Sequence, residues 1–289
     1  MDKSDKLSEV TGMAKPKSPW KVFFVYFFLG LGAISMLFPF YWMLMTSVES
    51  SDIVFGSTEV RWWPSTFQLS NYPEAMKVID LPRLYFNSVV IAVLGTFGQV
   101  VTSSLAAFAF ARLQFPGRDK LFLAYLATMM VPGSVTMIPN FVLLRYLGWI
   151  DTYQALIIPG IFSAYGTFLL RQFFMGLPTE LEDAAKIDGS GYLGIWARIT
   201  LPLSKAALAT LTTFTFMGFW GNYMWPLIII QSEELRTLPI GLSYFVGRYS
   251  AEYNLWMAAS VIALIPVLLL FIFNQRYFQE GIKMSGIKG

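Results

Sequence analysis

Long apolar runs separated by polar segments dominate the chain. Each run approaches or exceeds the ~20 residues that a helix needs to cross a hydrocarbon core of about 30 Å. Backbone groups cannot stay unpaired in lipid, so such runs are expected to be helical. The pattern predicts an all-α membrane protein with six transmembrane helices, at about Val22–Thr46, Phe86–Ala111, Leu121–Leu147, Ala155–Phe174, Ala206–Ile230 and Leu255–Phe278.

The composition agrees with a membrane protein. Hydrophobic residues make up 55% of the 289 residues and charged residues only 13%, whereas a soluble domain carries about 25% charged residues. The first apolar run is too long for a typical signal peptide and no small-residue cleavage site follows it, so we expect a retained span. Residues 1–20 are polar and rich in Lys, which predicts a flexible tail before a membrane domain over 21–289.

The basic residues predict the orientation of the spans. With the N-terminus inside, fifteen of the 21 Lys and Arg residues lie on the cytoplasmic side, as the positive-inside rule requires. Both termini are then cytoplasmic. The segment 47–85 becomes a long external loop, and the segment 177–202 becomes a cytoplasmic loop.

The cytoplasmic loop Leu177–Pro202 is amphipathic and charged. Thr179 followed by Glu182 predicts a capping box at the start of a helix, and Gly189 is a natural terminator. A second short helix is predicted over about 192–199. Two short helices joined by a glycine turn are typical of a docking element, although an ordinary interfacial helix is the alternative. The residues at helical spacing on one face of the first helix are Leu181, Ala184, Ala185 and Asp188.

The spacing within this loop resembles the "EAA" loop of binding-protein-dependent ABC importers, in which E-A-A is followed by G and then I-x-L-P. Asp183 departs from the usual Glu but keeps the charge. In that family the loop is a coupling helix that inserts into a groove on the ATPase subunit. The resemblance implies ATPase-coupling roles for Glu182, Asp183, Ala184, Ala185, Asp188, Gly189, Ile199, Leu201 and Pro202.

Beyond the loop, nearly the whole chain after about residue 20 is similar to permeases of carbohydrate importers of the maltose-transporter type. The resemblance implies a type I importer (MetI-like) permease fold. Gly221 departs from the Asn that often follows the Trp there, which puts a family-based sugar contact at this spot in doubt. The segments that carry the resemblance are Phe38–Ser47, Phe86-Asn87-Ser88, Met129–Tyr153 and Gln275–Gly289.

The same resemblance implies a multi-pass subunit of a bacterial or archaeal cell membrane, in contact with lipid. Its implied partners are a second permease subunit, two ATP-binding subunits and an extracytoplasmic substrate-binding protein that delivers a sugar. ATP and Mg would be bound by the partner ATPase subunits, and no cofactor is expected in this chain. The net charge of +3 reflects membrane orientation and not nucleic-acid binding.

The chemistry of the chain argues against an enzyme. It has no His and no Cys, which removes common metal ligands and proton carriers. It lacks a G-x-x-x-x-G-K-[ST] phosphate loop, and the G-x-G-x-x-G match at Gly189–Gly194 follows no strand. A membrane-embedded enzyme is therefore the weakest alternative.

Two regions are candidates for the substrate pathway. Asn140 lies in the proline-containing run Met129–Phe141, which either lines a pore or kinks for packing. A second cluster combines aromatic faces with an amide and suits a sugar, although an interfacial aromatic belt is the favoured interpretation. Its members are Trp220, Asn222, Tyr223 and Trp225.

The cargo and its energy source have alternatives. A stand-alone secondary transporter usually carries carboxylates or His in mid-membrane, whereas all 18 Asp and Glu residues lie outside the six runs. A sugar-phosphate permease is the alternative within the importer class. The absence of basic residues well inside the runs favours a neutral sugar.

Overall fold

The computed structural model describes residues 19–51, 62–247 and 252–285, and these residues form helices, turns and loops without a strand. The predicted N-terminal tail lies almost entirely outside them. The α-helices are, in chain order, α1 (Pro19–Ser47), α2 (Asn71–Val78), α3 (Leu81–Arg112), α4 (Arg118–Ala127), α5 (Gly133–Tyr146), α6 (Tyr153–Ile157), α7 (Ala164–Met175), α8 (Glu180–Ile187), α9 (Tyr192–Ile195), α10 (Leu201–Leu203), α11 (Lys205–Trp220), α12 (Met224–Ile229), α13 (Leu238–Gly247) and α14 (Tyr253–Ser285).

Four helical segments of the described chain are long and apolar enough to cross a membrane. They correspond to the first, second, fourth and sixth predicted runs, and confirm those runs as helical. The segments are Val22–Ser47, Leu81–Arg112, Tyr153–Met175 and Tyr253–Tyr277.

The third predicted run is not one straight helix. A 3₁₀ turn, Thr128–Met130, extends α4, and α5 then leaves at an angle of 98°. Val131 at the break is extended, because the ring of the following Pro132 disfavours the helical conformation in the residue before it. α4 and α5 together therefore make either one broken span or a re-entrant loop.

The fifth predicted run is also divided. α11 ends at Trp220, and α12 begins only at Met224. The Asn222 Oδ1 accepts a hydrogen bond from the backbone N–H of Trp225, 3.3 Å away, which supports the restart of the helix. Each piece is shorter than a full span, so the count of six spans stays a prediction.

α3 is the central helix of the fold, and α7 and α11 pack along it. A cluster toward the C-terminal end of α3 brings the loop helices α8 and α9 into the core through Ala185 and Ile195. By contrast, apolar side chains of α1 such as Ile34 and Met36 are exposed. Exposed apolar surface on this scale marks contact with lipid or with another subunit.

Buried polar groups connect the end of α1, the start of α2 and α14. Glu49 accepts hydrogen bonds from the backbone N–H groups of Ser65 and Thr66, at 2.8 and 3.2 Å. Asn71, the first residue of α2, donates to the carbonyls of Ser47 and Glu49, both at 2.9 Å. The Asn254 side chain then donates to Asn71 Oδ1 at 3.2 Å, so α14 joins the same network.

Candidate functional site

The loop 177–202 folds into two short helical elements joined by a glycine turn, as the sequence predicts. α8 ends at Ile187, and Gly189 adopts φ +80°, a left-handed conformation that favours glycine. The second element begins at Tyr192 as predicted. It runs through α9, a π-helical turn over Trp196–Thr200 and α10, so it extends beyond the predicted end.

The predicted capping box is wrong. Thr179 has helical dihedral angles, and its side chain makes no capping hydrogen bond. Glu182 turns instead toward Arg112, the last residue of α3: Arg112 Nε lies 2.7 Å from Glu182 Oε1 in an ion pair whose N–H does not meet hydrogen-bond geometry. The side chains are only 8% and 9% exposed, and a buried cation needs a counter-charge more than an exposed helix end needs a cap.

The predicted docking face of α8 is partly buried and partly exposed. Ala185 is buried against the chain's own core, beside Phe174 and Ile195. Ala184 points away from this core and is exposed. The four residues predicted to share one face of α8 therefore do not share one environment, because the buried position of Glu182 turns Ala185, three residues on, inward. The coupling role of both alanines stays a prediction.

The loop presents a set of exposed apolar side chains, here named the coupling-loop set. Ile187 is 86% exposed, and two others follow the glycine turn. The members are Leu181, Ala184, Ile187, Tyr192 and Leu193.

The remaining predicted coupling residues lie along the same loop with graded exposure. Those that are exposed are Asp183, Asp188, Gly189 and Pro202, and those that are half-buried are Ile199 and Leu201.

A second arginine ties the neighbouring helix ends together. Arg171, in the last turns of α7, donates from Nε to the carbonyl of Phe110 in α3 at 3.2 Å. Its guanidinium also lies 4.2 Å from the centre of the Phe122 ring and 3.7 Å from Asp119 of α4. The end of α3, the start of α4 and the second half of α7 are thus fastened at one point.

A groove of about 290 Å³ opens at the middle of α3. Gln99 lies 13 residues before the end of α3, which is roughly 20 Å along a helix. Its Nε2 donates to Thr215 Oγ1 of α11 at 2.9 Å. The lining contains amide, hydroxyl and aromatic groups and no charged residue: Gln99, Gly160, Tyr165, Phe214, Thr215, Gly218, Phe219 and Asn222.

The structure separates the residues predicted for the substrate pathway. Asn222 lines the groove. Trp220 is buried in the core, and its indole N–H donates to the carbonyl of Ala263 at 3.1 Å. Trp225 donates to the carbonyl of Ala155 at 3.0 Å.

The other two predicted pathway residues do not line the groove. Tyr223 is half-buried, and Asn140 lies on an exposed part of α5.

Three groove residues were not predicted from the sequence: Gln99, Tyr165 and Thr215. Each is an uncharged polar residue inside a long apolar run, and polar side chains inside a membrane span usually face other helices or a cavity. That pattern was available in the sequence. The pairing of α3 with α11, which brings Gln99 to Thr215, was not.

Several helices long and apolar enough to cross a membrane, a loop with exposed apolar side chains and an uncharged groove beside the middle of α3 are typical of a membrane transport subunit. The family model described as the inner membrane component of binding-protein-dependent transport systems matches residues 99–284. The chain belongs to this family of multi-pass permeases.

Related proteins are similar over most of their length. The arabinooligosaccharide transport permease AraQ of Halalkalibacterium halodurans is 35% identical, over 89% of this chain and 93% of the relative. The sn-glycerol-3-phosphate transport permease UgpE of Agrobacterium fabrum is 36% identical, over 88% and 93%. Among solved structures, a chain of a bacterial ABC transporter that imports alginate matches with a TM-score of 0.78 and 24% identity, over 96% of this chain and 99% of that one. That match supports the fold alone.

Proposed function

We propose that this chain is the permease subunit of an ATP-driven, binding-protein-dependent importer of a neutral sugar or oligosaccharide. It forms half of the translocation channel, and a second permease forms the other half. Two ATP-binding subunits, which hold ATP and Mg, dock below, and an extracytoplasmic binding protein delivers the sugar. The observation that carries the proposal is the coupling loop, whose exposed apolar side chains face away from the fold that anchors it.

The anchoring of the loop supports a docking role. Ala185 and Ile195 pack into the cytoplasmic core cluster, while Ile187 and Leu193 are exposed. A loop that served only to link two spans would gain nothing by exposing such side chains to water. An ATPase surface that covers them would remove this apolar area from water.

The topology completes the proposal. The broken pair α4 and α5 makes the third span, and α11 with α12 makes the fifth. Both termini are cytoplasmic, which puts the external segment around α2 and the loop between α12 and α13 on the side that meets the binding protein. Non-helical backbone at membrane depth is tolerated where it lies against protein or lines a cavity.

The lining of the groove favours a neutral cargo. Tyr165, Phe214 and Phe219 offer aromatic faces, and Gln99 and Asn222 offer amides. Such a combination suits a polyhydroxylated ring. A phosphorylated cargo would require cationic groups in a site removed from water, so the glycerophosphate type of importer is the weaker alternative.

The function is tested by reconstitution. The chain is co-expressed with the neighbouring permease, ATPase and binding-protein genes, purified in lipid, and assayed for ATP hydrolysis with a panel of sugars and glycerol phosphates. Hydrolysis stimulated by a neutral sugar with the binding protein supports the proposal. A protein that purifies alone and transports down an ion gradient would overturn it, and stimulation only by phosphorylated compounds would change the cargo.

The docking surface has its own test. The chain contains no cysteine, so Ile187→Cys introduces a single thiol that is freely accessible. Its maleimide labelling should be slow in the complex with the ATPase and fast without it. The control is Trp63→Cys, an exposed site in the external segment, which should label equally in both states. Equal labelling of Ile187→Cys in the two states would show that α8 does not contact the ATPase.

A further inference from the structure

One buried guanidinium connects three parts of the cytoplasmic end of the fold. Arg112 is the last residue of α3. Its Nε lies 2.7 Å from Glu182 Oε1 in α8, and its Nη2 donates to the carbonyl of Leu177 at 2.7 Å. Leu177 belongs to the linker between α7 and α8. The end of α3 therefore contacts both the linker that leads into α8 and α8 itself.

This contact differs in kind from the packing around it. The apolar cluster beneath α8 includes Ala185, Phe174 and Ile195, and apolar packing is largely non-directional. A buried ion pair is a poor source of net stability, because desolvation of both charges offsets their attraction. Its geometry does fix the position of α8 against α3, which packing alone does not.

The same helix reaches the groove. Gln99 of α3 bonds to Thr215 of α11, and Gly95 of α3 lies against the Phe219 ring, where a Cβ would come within 2.6 Å. A displacement of α8 that is transmitted to Arg112 therefore acts on a helix that forms one wall of the groove.

We infer that Arg112 is a positioning residue that makes the coupling loop and the groove wall move as one body. The inference rests on the proposed function, since it gives the loop something to transmit. It deepens that function by naming the contact through which motion of an ATPase subunit reaches the membrane.

The test compares four variants in the reconstituted complex by the number of sugars transported per ATP hydrolysed. Arg112→Gln and Glu182→Gln each leave one partner alone. The double variant Arg112→Met/Glu182→Leu removes both charges and restores an apolar contact, which usually preserves stability. Arg83→Gln is the matched control, because its ion pair with Asp80 is exposed and lies outside the loop.

We expect Arg112→Gln, Glu182→Gln and the double variant to uncouple transport from hydrolysis, each judged against its own rate of ATP hydrolysis. The ratio of transport to hydrolysis should fall by about tenfold, within the range of roughly 5–150-fold that is typical of coupling between two sites. Arg83→Gln should be unaffected. If the pair only stabilises the fold, the double variant will transport as wild type does, and the inference is overturned.

The proposed function and this inference fail in different ways. A wild-type complex without sugar-stimulated hydrolysis contradicts the function itself. A wild-type complex that transports, together with a double variant that keeps its transport ratio, contradicts only the role of Arg112.

Discussion

The Phe219 ring of α11 occupies the space that the missing side chain of Gly95 leaves on α3. A Cβ at residue 95 would lie 2.6 Å from the ring, and one at Gly160 would lie 2.7 Å from the same ring. Small residues in a membrane helix can pack within the chain or against a second subunit. For Gly95 the contact is within the chain, since small residues let helices approach closely.

Gly95→Ala should therefore destabilise the protein. Forcing a methyl group into a filled site costs about 1–3 kcal/mol, so the midpoint of thermal unfolding in detergent should fall. Gly95→Ala/Phe219→Leu should recover part of the loss. The control is Gly30→Ala, because nothing lies within 4 Å of the added Cβ in α1. An unchanged midpoint for Gly95→Ala would contradict the close approach.

Gly189→Val should impair transport while leaving membrane insertion intact. The φ of +80° at Gly189 costs an L-residue about 1–2 kcal/mol, and the turn sets the direction of the second loop helix. Gly189→Asn should retain more uptake, since Asn tolerates the left-handed conformation. Gly191→Ala is the control, because its φ of −75° suits any residue. Uptake is measured with labelled sugar in cells, normalised to the amount of protein in the membrane.

Asp151→Asn should reduce the acid sensitivity of the thermal stability of the protein. Asp151 Oδ1 accepts hydrogen bonds from Gln231 N, Ser232 N and Ser232 Oγ at 3.0, 3.1 and 2.9 Å. Burial alone would raise the pKa of Asp151, but these bonds outweigh it and hold the pKa below its ordinary value of 3.8.

A carboxylate whose pKa is lower in the folded state stabilises the fold at pH values above its unfolded-state pKa. This stabilisation is lost as the pH falls through the folded-state pKa. The thermal midpoint of the wild type should therefore drop below about pH 4, and the midpoint of Asp151→Asn should drop less. Asn also tolerates the φ of +62° at this position. Parallel pH profiles for the two proteins would show that the carboxylate has no such role.

Substitutions in the groove and at the buried Trp220 should have different effects on the KM of transport. Gln99→Leu should raise the KM for sugar uptake by a factor of about 2–10, the value of one hydrogen bond of roughly 0.5–1.5 kcal/mol. Trp220→Phe should lower the thermal midpoint, because it removes the bond to Ala263 and part of a buried ring that packs on Tyr85 and Phe216. It should leave KM unchanged, because Trp220 does not line the groove. An effect of Trp220→Phe on KM without loss of stability would return this residue to the pathway.

The sequence predicted those features that depend on local chemistry. Apolar run length located the four long helices, and Gly189 marked the turn because few other residues adopt its backbone conformation. The partner of Glu182 was not predictable, since Arg112 is distant in sequence and only the packing of α8 against α3 brings it near. The packing of Trp220 was not predictable for the same reason, because the carbonyl that accepts its indole N–H lies in α14, distant in sequence.

The first described helix packs against the last. α1 packs against α14, and the Asn71 that holds the end of α1 is itself met by Asn254. During biosynthesis α1 enters the bilayer early and faces lipid until the final helix leaves the ribosome, because its partner surface does not exist before then. A chain that stops short of residue 253 would insert its first helix and still lack the surface that closes the fold.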